Sequence, residues 1–595
     1  MRIIAKLLVG FLASLGFIII FVFGVVFYIG ANSDGIRNQV VKAPERIILN
    51  INLDDGFSEG TARPDFFSLG LRGRTSLQDA IIALRRARND ERVKAVVANI
   101  SKQSLGLAQI QELRDVIETY SDSGKPTYVY SETLGEIGSA TPAYYLASAF
   151  KEIWLQPSGS VGLTGLALEQ PFFKDFLDRI GVRANVIQRY EYKSAAESLT
   201  NAEMSAPNRE ALDSLFIGIF NQIVSGIAFA RNITEDDVKR LMREGPLMAE
   251  EALNGGLVDQ LAYRDQFDDQ INLTIKNAEE VSLNRYLNFA SSDIGDPAEH
   301  SVAIIHAVGP IQRGTEADGL FGNEAFIGSE TLAAAIRSAA EDENIDAILM
   351  RVDSPGGSYV ASDTVWREVM NAKKANKPFV VSMGNTAASG GYYIAMAADK
   401  IFAQPCTVTG SIGVVVNKIV LEEAFSKLGI NWTTLSYGEN GAMFTPTRDF
   451  NDSELARINS SLDSIYNDFT KKAALGRDMA LDDMSLIARG RVWNGEDAKR
   501  IGLIDELGGL SDAIDYTKSA IGLQEDDLVQ LIAYPPPRDP LDSLIEALEN
   551  GALPFGINNA IQLLISISGA WNTWITPYTV GPGAGVLFAA PIVIR

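Results

Sequence analysis

Residues 7–30, LLVGFLASLGFIIIFVFGVVFYIG, run without a single charge. At about 1.5 Å of rise per residue, a helix of that length crosses a hydrocarbon core of about 30 Å with some tilt. The exit, FYIGANSDG, lacks the small-x-small spacing of a cleavage site, so the pattern predicts an uncleaved anchor. Arg2 and Lys6 precede the span while Arg37, Lys42 and Arg46 follow it, so counting Lys and Arg leaves its orientation open. Further along, apolar runs of strand length (VAIIHAV, DAILMRV, FVVSM, KIFAQP) alternate with stretches of helical period at 330–340, 389–398 and 453–474. Such alternation predicts an α/β layer fold with largely parallel strands and right-handed crossovers.

The pattern is written twice. KPTYVYSETLGEIGSATPAYYLASAFKEIWLQP from Lys125 aligns with KPFVVSMGNTAASGGYYIAMAADKIFAQP from Lys377. Upstream, SLQDAIIALRRARNDERVKAVVANIS from Ser76 parallels ETLAAAIRSAAEDENIDAILMRVDS from Glu330, and downstream EEALNGGLVDQLA from Glu250 parallels EDAKRIGLIDELG from Glu496. Each copy is long enough for its own core. The expected division is an anchor at 7–30, a linker at 31–45, a first repeat at 46–299, a second at 300–533, and a tail at 534–595. That tail opens with the stiff YPPPRDP and continues into an apolar stretch, IQLLISISGAWNTWI, too short and too polar at its ends to span a membrane.

Composition narrows the chemistry. The chain has 595 residues, 46% hydrophobic and 21% charged, in the range of folded proteins. A net charge of −23 repels phosphate backbones, which argues against a nucleic-acid partner. Cys406 is the only cysteine and His300 and His306 the only histidines, so a His/Cys metal site is not expected, while a carboxylate-only magnesium or calcium site stays open although no EF-hand spacing appears. No cofactor is expected. In these patterns His306 reads as a satisfied core histidine and Cys406 as a small buried hydrophobe.

The copies differ where chemistry would sit. Ser389-Gly390-Gly391 of the second copy stands against Thr141-Pro142-Ala143 of the first, and DSPGGS at 353–358 stands against SKQSLG. A proline after the nucleophile position removes a backbone N–H, and the first copy also lacks the glycine pair that could present amides to an oxyanion. Conversely, the first copy has Lys193 within QRYEYKSAAESLT, whereas the second copy's LSYGENGAMFTPT has no lysine. A serine needs an adjacent base to act as a nucleophile at neutral pH, and a buried lysine loses its proton readily. One half supplies a serine and the other a lysine, so the expected pair is Ser389 with Lys193, joined across the repeat boundary.

With the anchor, DSPGGS, TAASGGYYIA, TGSIG at 409–413, RYEYKSA and RGRVWNGEDAKRIGLIDELG from Arg489, residues 1–530 resemble the signal peptide peptidase A family, also called protease IV, in its long tandem form. The resemblance implies two crotonase/Clp-protease-like repeats, with Ser389 as nucleophile and Lys193 as general base. It implies that the Ser411 hydroxyl orients the lysine and that Gly356 and Gly390 line the oxyanion hole, with Gly357 adjacent as the alternative. It further implies a single-pass protein of the inner (cytoplasmic) membrane with residues 1–6 in the cytoplasm and the catalytic part facing the periplasm. Such proteins assemble as homotetramers at the lipid bilayer and degrade cleaved signal peptides and other apolar peptides. Two other functions compete. A crotonase-like acyl-CoA enzyme would use the glycine loop without Ser389, and a non-catalytic membrane scaffold would need neither residue.

Overall fold

The computed structural model describes residues 43–60, 75–102, 104–136, 138–292, 299–315, 326–524, 527–536 and 586–588. The anchor expected at 7–30 and the apolar part of the tail lie outside the described residues. Among those described, one helix, Ala206–Arg231, is long and apolar enough to cross a membrane. Leu215, Ile219, Ile223, Val224 and Ile227 on that helix are buried in the core of the first repeat, while Ile217 and Phe229 on it stand exposed.

The repeat is as plain in the sheets as in the sequence. The first sheet runs Gln260–Leu261, Glu152–Leu155, Thr127–Ser131, Val93–Asn99, Ile47–Asn52, Glu279–Ser282, all neighbours parallel. The second repeats that order with Glu506–Leu507, Lys400–Ala403, Phe379–Ala388, Ala347–Ser354, His300–Val308 and Val529–Tyr534. Its inner strands are apolar on both faces, as parallel strands covered by helices must be. Each sheet also has a small antiparallel ribbon at its side, Ser160–Val161 with Leu247–Met248 and Val408–Gly410 with Val492–Asn494.

Individual contacts recur at aligned positions. Lys125 Nζ donates to the carbonyls of Ala87 and Asp90, and Lys377 Nζ to those of Ala339 and Asp342. Tyr144 and Tyr392 each donate a buried hydroxyl to a carbonyl, of Leu257 and Leu503 respectively. The helices Ala206–Arg231 and Asp452–Gly476 end at arginines paired with Asp259 and Asp505. Both helices begin with a side-chain cap, Ser205 on the N–H of Asn208 and Asn451 on the N–H of Glu454, which satisfies donors the helix itself leaves open.

The two copies are fused. One apolar core extends from the first repeat onto Val302, Ile304, Leu349, Val380 and Phe402 of the second sheet. Within that contact Arg351, 1% exposed, pairs with Glu59 at 2.8 Å and with Glu112 at 2.5 Å, both from the first repeat. A third, smaller sheet crosses the boundary. In it Arg183–Gln188 of the first copy lies antiparallel to Val415–Val420 of the second, with Gln188 opposite Val415.

Candidate active site

The buried strand Phe379–Ala388 delivers Ser389, and the helix Gly390–Ala395 starts at the next residue. The helical run expected at 389–398 is shorter than its pattern: it starts one residue later because Ser389 adopts φ +56° and ψ −116°, outside the helical region, and it gives way to turns after Ala395. A non-glycine residue held there stores strain of order 1–3 kcal/mol, here fixed by its N–H on the Gly410 carbonyl at 2.8 Å and its carbonyl under the Tyr393 N–H at 2.9 Å. The small residues that follow are a packing requirement. A Cβ on Gly390 would stand 2.7 Å from Ser362 Oγ and 3.0 Å from the Gly357 nitrogen, and one on Gly391 2.4 Å from the Ser354 carbonyl oxygen. The helix start is thus pressed directly on the glycine loop.

That loop is the strand Gly356–Ser358. Gly356 has φ +108°, and a Cβ on Gly357 would lie 2.0 Å from the Ile311 carbonyl oxygen, so neither position admits a side chain without movement. The Gly356 N–H donates to Ser354 Oγ over a long 3.2 Å. Asp353, just before it, accepts from the Thr386 N–H at 3.0 Å and ties the loop to the serine's strand; burial and the nearby Glu59 push its carboxyl up to about 7.

Lys193 comes from the other copy. The chain leaves Arg183–Gln188, makes a turn, and brings Lys193 Nζ to 2.8 Å from Ser389 Oγ, 2.9 Å from Ser411 Oγ and 2.9 Å from the Ser411 carbonyl oxygen. Ser411 has a positive φ, +52°, like Ser389. The lysine is 1% exposed, and burial alone pushes its amine down to about 7. Charged, it donates to all three oxygens. Neutral, it has two N–H groups for the two Ser411 oxygens and one lone pair for the Ser389 hydroxyl.

Several residues that the sequence reading left without a role shape this pocket. A Cβ on Gly490, at φ +83°, would fall 2.6 Å from both the nitrogen and Cβ of Lys193, and one on Gly413 3.2 Å from its Cδ. Both glycines lie in motifs already singled out, RGRVW and TGSIG. On either side of Lys193 the turn is pinned to the second repeat, by Glu191 on Arg489 at 2.9 Å and by Glu210 on Arg491 at 2.6 Å, with the Tyr192 hydroxyl donating to Glu210. The second copy's counterpart, residues 428–450, forms neither strand nor helix. Among the described residues no group of three or more His, Cys, Asp and Glu stands together as a metal ligand set. Cys406 is free and buried. His306 is only partly satisfied, contrary to the expectation for it: Nε2 meets Gln78 at 2.9 Å, but the buried Nδ1 has no hydrogen-bond partner.

Comparison with known proteins matches this chain to the model of peptidase family S49 over residues 119–276 and 371–524, one match in each repeat. The chloroplastic serine protease SPPA of Arabidopsis thaliana is 31% identical over 487 residues, 81% of this chain and 70% of the relative. Protease 4 of Haemophilus influenzae is 29% identical over 547 residues, 87% of this chain and 85% of the relative. Protease 4 of Salmonella typhi is 33% identical over 454 residues, 74% of this chain and 71% of the relative.

Proposed function

The chain belongs to peptidase family S49, and on that premise we propose that it is a membrane-anchored endopeptidase that cuts apolar peptides, cleaved signal peptides among them, through Ser389 and Lys193. The observation that carries this reading is the 2.8 Å contact between Lys193 Nζ and Ser389 Oγ, made by an amine that burial holds at about 7. An ordinary lysine is protonated at neutral pH and accepts nothing; this one is neutral in a large fraction of molecules there.

In the proposed reaction Ser389 Oγ attacks the scissile carbonyl while its proton passes to Lys193 Nζ. The oxyanion forms beside the Gly390 N–H and the N–H of Gly356 or Gly357, where one such donor is worth roughly 2.7–4 kcal/mol of barrier. Lys193 then protonates the leaving amine, and an ester on Ser389 remains. A water molecule gives its proton to Lys193 and attacks that ester; the serine leaves with a proton and the acid product departs. Ser411 positions the amine throughout, since its carbonyl and hydroxyl hold the two N–H groups and leave the lone pair on the Ser389 side.

The same proposal places residues 7–30 as a single-pass anchor in the inner membrane, residues 46–299 and 300–533 as the repeats that supply base and nucleophile, and the catalytic part on the periplasmic side in a homotetramer. The acyl-CoA reading and the scaffold reading give Ser389 no task, and neither accounts for a buried lysine at its hydroxyl. The test is hydrolysis of a quenched apolar peptide by the full chain in detergent, beside Ser389→Ala and Lys193→Ala. Cleavage that disappears in both variants, with folding intact, supports the pair, and cleavage that persists in either refutes it.

A further inference from the structure

The strand that carries Ser389 is interrupted just before it arrives there. Phe379–Ala388 pairs with Ala347–Ser354 in regular register up to Val352 opposite Met383, and the next pair is Ser354 opposite Ala387. Between them the single residue Asp353 faces three, Gly384, Asn385 and Thr386. At the same place the strand exchanges its other neighbour, Lys400–Ala403 up to Met383 and Val408–Gly410 from Thr386 onward. A bulge of this kind bends a strand and re-aims the side chains that follow, and Ser389 follows directly.

The bulge leaves main-chain groups without ladder partners, and side chains take them up. The Gly384 carbonyl accepts from Thr407 Oγ1 at 2.8 Å and the Ala387 carbonyl from Thr409 Oγ1 at 2.7 Å. On the side of Ala347–Ser354, the Thr386 N–H donates to Asp353 Oδ1 at 3.0 Å and Asn385 Nδ2 donates to Asp353 Oδ2 at 3.4 Å. Asn385 Oδ1 in turn accepts from the Gln109 N–H at 3.3 Å. Gln109 lies in the first turn of Leu107–Asp122, a first-repeat helix whose own cap, Gly106, has no side chain to offer. Only this orientation of the Asn385 amide satisfies both contacts, since the reverse sets an NH2 against an N–H and an oxygen against a carboxylate. The space around these groups is filled. A Cβ on Gly384 would stand 3.0 Å from Asp353 Cβ and 3.1 Å from its Oδ2, and one on Gly106 2.1 Å from Asn385 Oδ1.

We propose that Asp353 is a positioning residue for the reaction: its carboxylate, seated in the bulge, sets the direction in which Ser389 is presented to the glycine loop, and Asn385 ties that setting to the first repeat. The inference rests on the peptidase reading of Ser389 and Lys193. Asp353 is suited to the task because it reaches both sides of the reacting centre. Its own chain leads through Ser354 and Pro355 to Gly356, and the N–H it accepts belongs to Thr386, which leads through Ala387 and Ala388 to Ser389. One carboxylate thus fixes where the nucleophile stands relative to the amides that would meet the oxyanion. Lys193 and Gln109 both belong to the first repeat, so that repeat holds the base and also the strand that brings the serine to it.

The test uses the full chain in detergent and a fluorophosphonate probe, which bonds the Ser389 oxygen to phosphorus as fluoride leaves and Lys193 takes the proton. The amplitude of labelling counts folded sites, and its rate constant reads how well each site is arranged. Asp353→Asn keeps the size of the side chain but offers one acceptor oxygen where the carboxylate has two, so either Thr386 or Asn385 faces a donor. Gly384→Ala leaves Asp353 in place and presses on it. A misplacement of about 1 Å costs on the order of 10²-fold in rate. The rate constant should therefore fall about 10²-fold in Asp353→Asn and about tenfold in Gly384→Ala, at full amplitude and with KM for a quenched peptide within about twofold of the parent. An unchanged rate constant in Asp353→Asn overturns the inference, and so does a loss of amplitude alone, which is what a merely structural role gives. If Asp353→Asn does not fold, Gly384→Ala decides by the same two readings. Peptide cleavage is read separately. Slower labelling in the variants of a parent that cuts no peptide removes the peptidase reading and leaves Asp353 its role, cleavage with unchanged labelling removes the role alone, and a parent that is not labelled removes both.

Discussion

Lys193 Nζ and Ser389 Oγ stand 2.8 Å apart although 196 residues separate them in the chain and each belongs to a different copy of one repeat. Duplication explains how that arrangement arises. Two equal copies carry two equal loops, and fusion of their cores brings the loops of one against the other. Once the second copy's serine lies beside the first copy's turn, only one serine and one lysine are needed, and the reciprocal positions are free to change. At the reciprocal positions stand Thr141-Pro142-Ala143 and the segment 428–450, which forms neither strand nor helix.

Removing either member of the pair should cost about as much as removing both, since groups that act as a unit are not additive. Ser389→Ala, Lys193→Ala and the double variant are each expected to lower kcat/KM by about 10³-fold or more. Steady-state kinetics on one quenched peptide decides this; a double variant far worse than either single would mean that the two act separately.

The parallel sheets, the duplication and the residues on either side of the site were legible in the sequence because each depends on a local pattern. Apolar runs such as DAILMRV mark buried strands, and the contrast of Ser389-Gly390-Gly391 with Thr141-Pro142-Ala143 marks a divergence without any coordinates. What stayed hidden depends on distant partners. Gly490 reads as an ordinary turn glycine until Lys193 is found 2.6 Å from where its Cβ would be. Glu191 and Arg489 are 298 residues apart, and nothing periodic connects them. The strand Arg183–Gln188 is half-buried along most of its length, so it lacks the alternation that marks a sheet face, and its pairing with Val415–Val420 was out of reach.

The rate should follow the lysine. Because burial holds Lys193 at about 7, the base is charged and idle below that pH and neutral above it, so kcat/KM is expected to rise about tenfold per pH unit below 7 and level off above it. A pH–rate profile between 5 and 9 checks the sign and the midpoint; a rate that falls with pH across that range would exclude a lysine base.

Gly490→Ala should disable the site without touching a reacting atom. Its φ of +83° is strained for alanine, and the new methyl carbon would stand 2.6 Å from the Lys193 backbone and Cβ. The left-handed conformation alone costs about 1–2 kcal/mol, and the lysine turn must also shift. Since a displacement of about 1 Å at a reacting group costs on the order of 10²-fold in rate, activity should fall by that amount while the thermal midpoint drops only a few degrees. Full activity in this variant would show that the turn tolerates the shift.

Arg351 is a fully buried charge at the contact between the repeats. Fully buried between Glu59 and Glu112, it leaves two carboxylates without a counter-charge when replaced by methionine, a loss of about 3–5 kcal/mol. Urea denaturation should show an unfolding free energy lower by that amount for Arg351→Met, read as a lower midpoint at unchanged slope. Replacing all three by apolar residues of similar volume should recover much of it, because the penalty lies in the stranded carboxylates.

Lys193→Met should do the reverse, lowering activity while raising stability. The drop of the amine from 10.5 to about 7 corresponds to roughly 4–5 kcal/mol against its charged form, whereas the two serine hydroxyls left behind lose bonds worth about 1 kcal/mol each. The sign with pH follows from proton counting. Between about 7 and 10.5 the unfolded chain carries a proton that the native lysine does not, so the parent gains stability as pH rises through that window, and below about 7 the full cost of the buried charge is present. The methionine variant should therefore exceed the parent most at pH 6, with the gap closing toward pH 10. Melting both proteins at the two pH values reads this directly, and a gap that stays the same at both would mean that the lysine remains charged in the folded state.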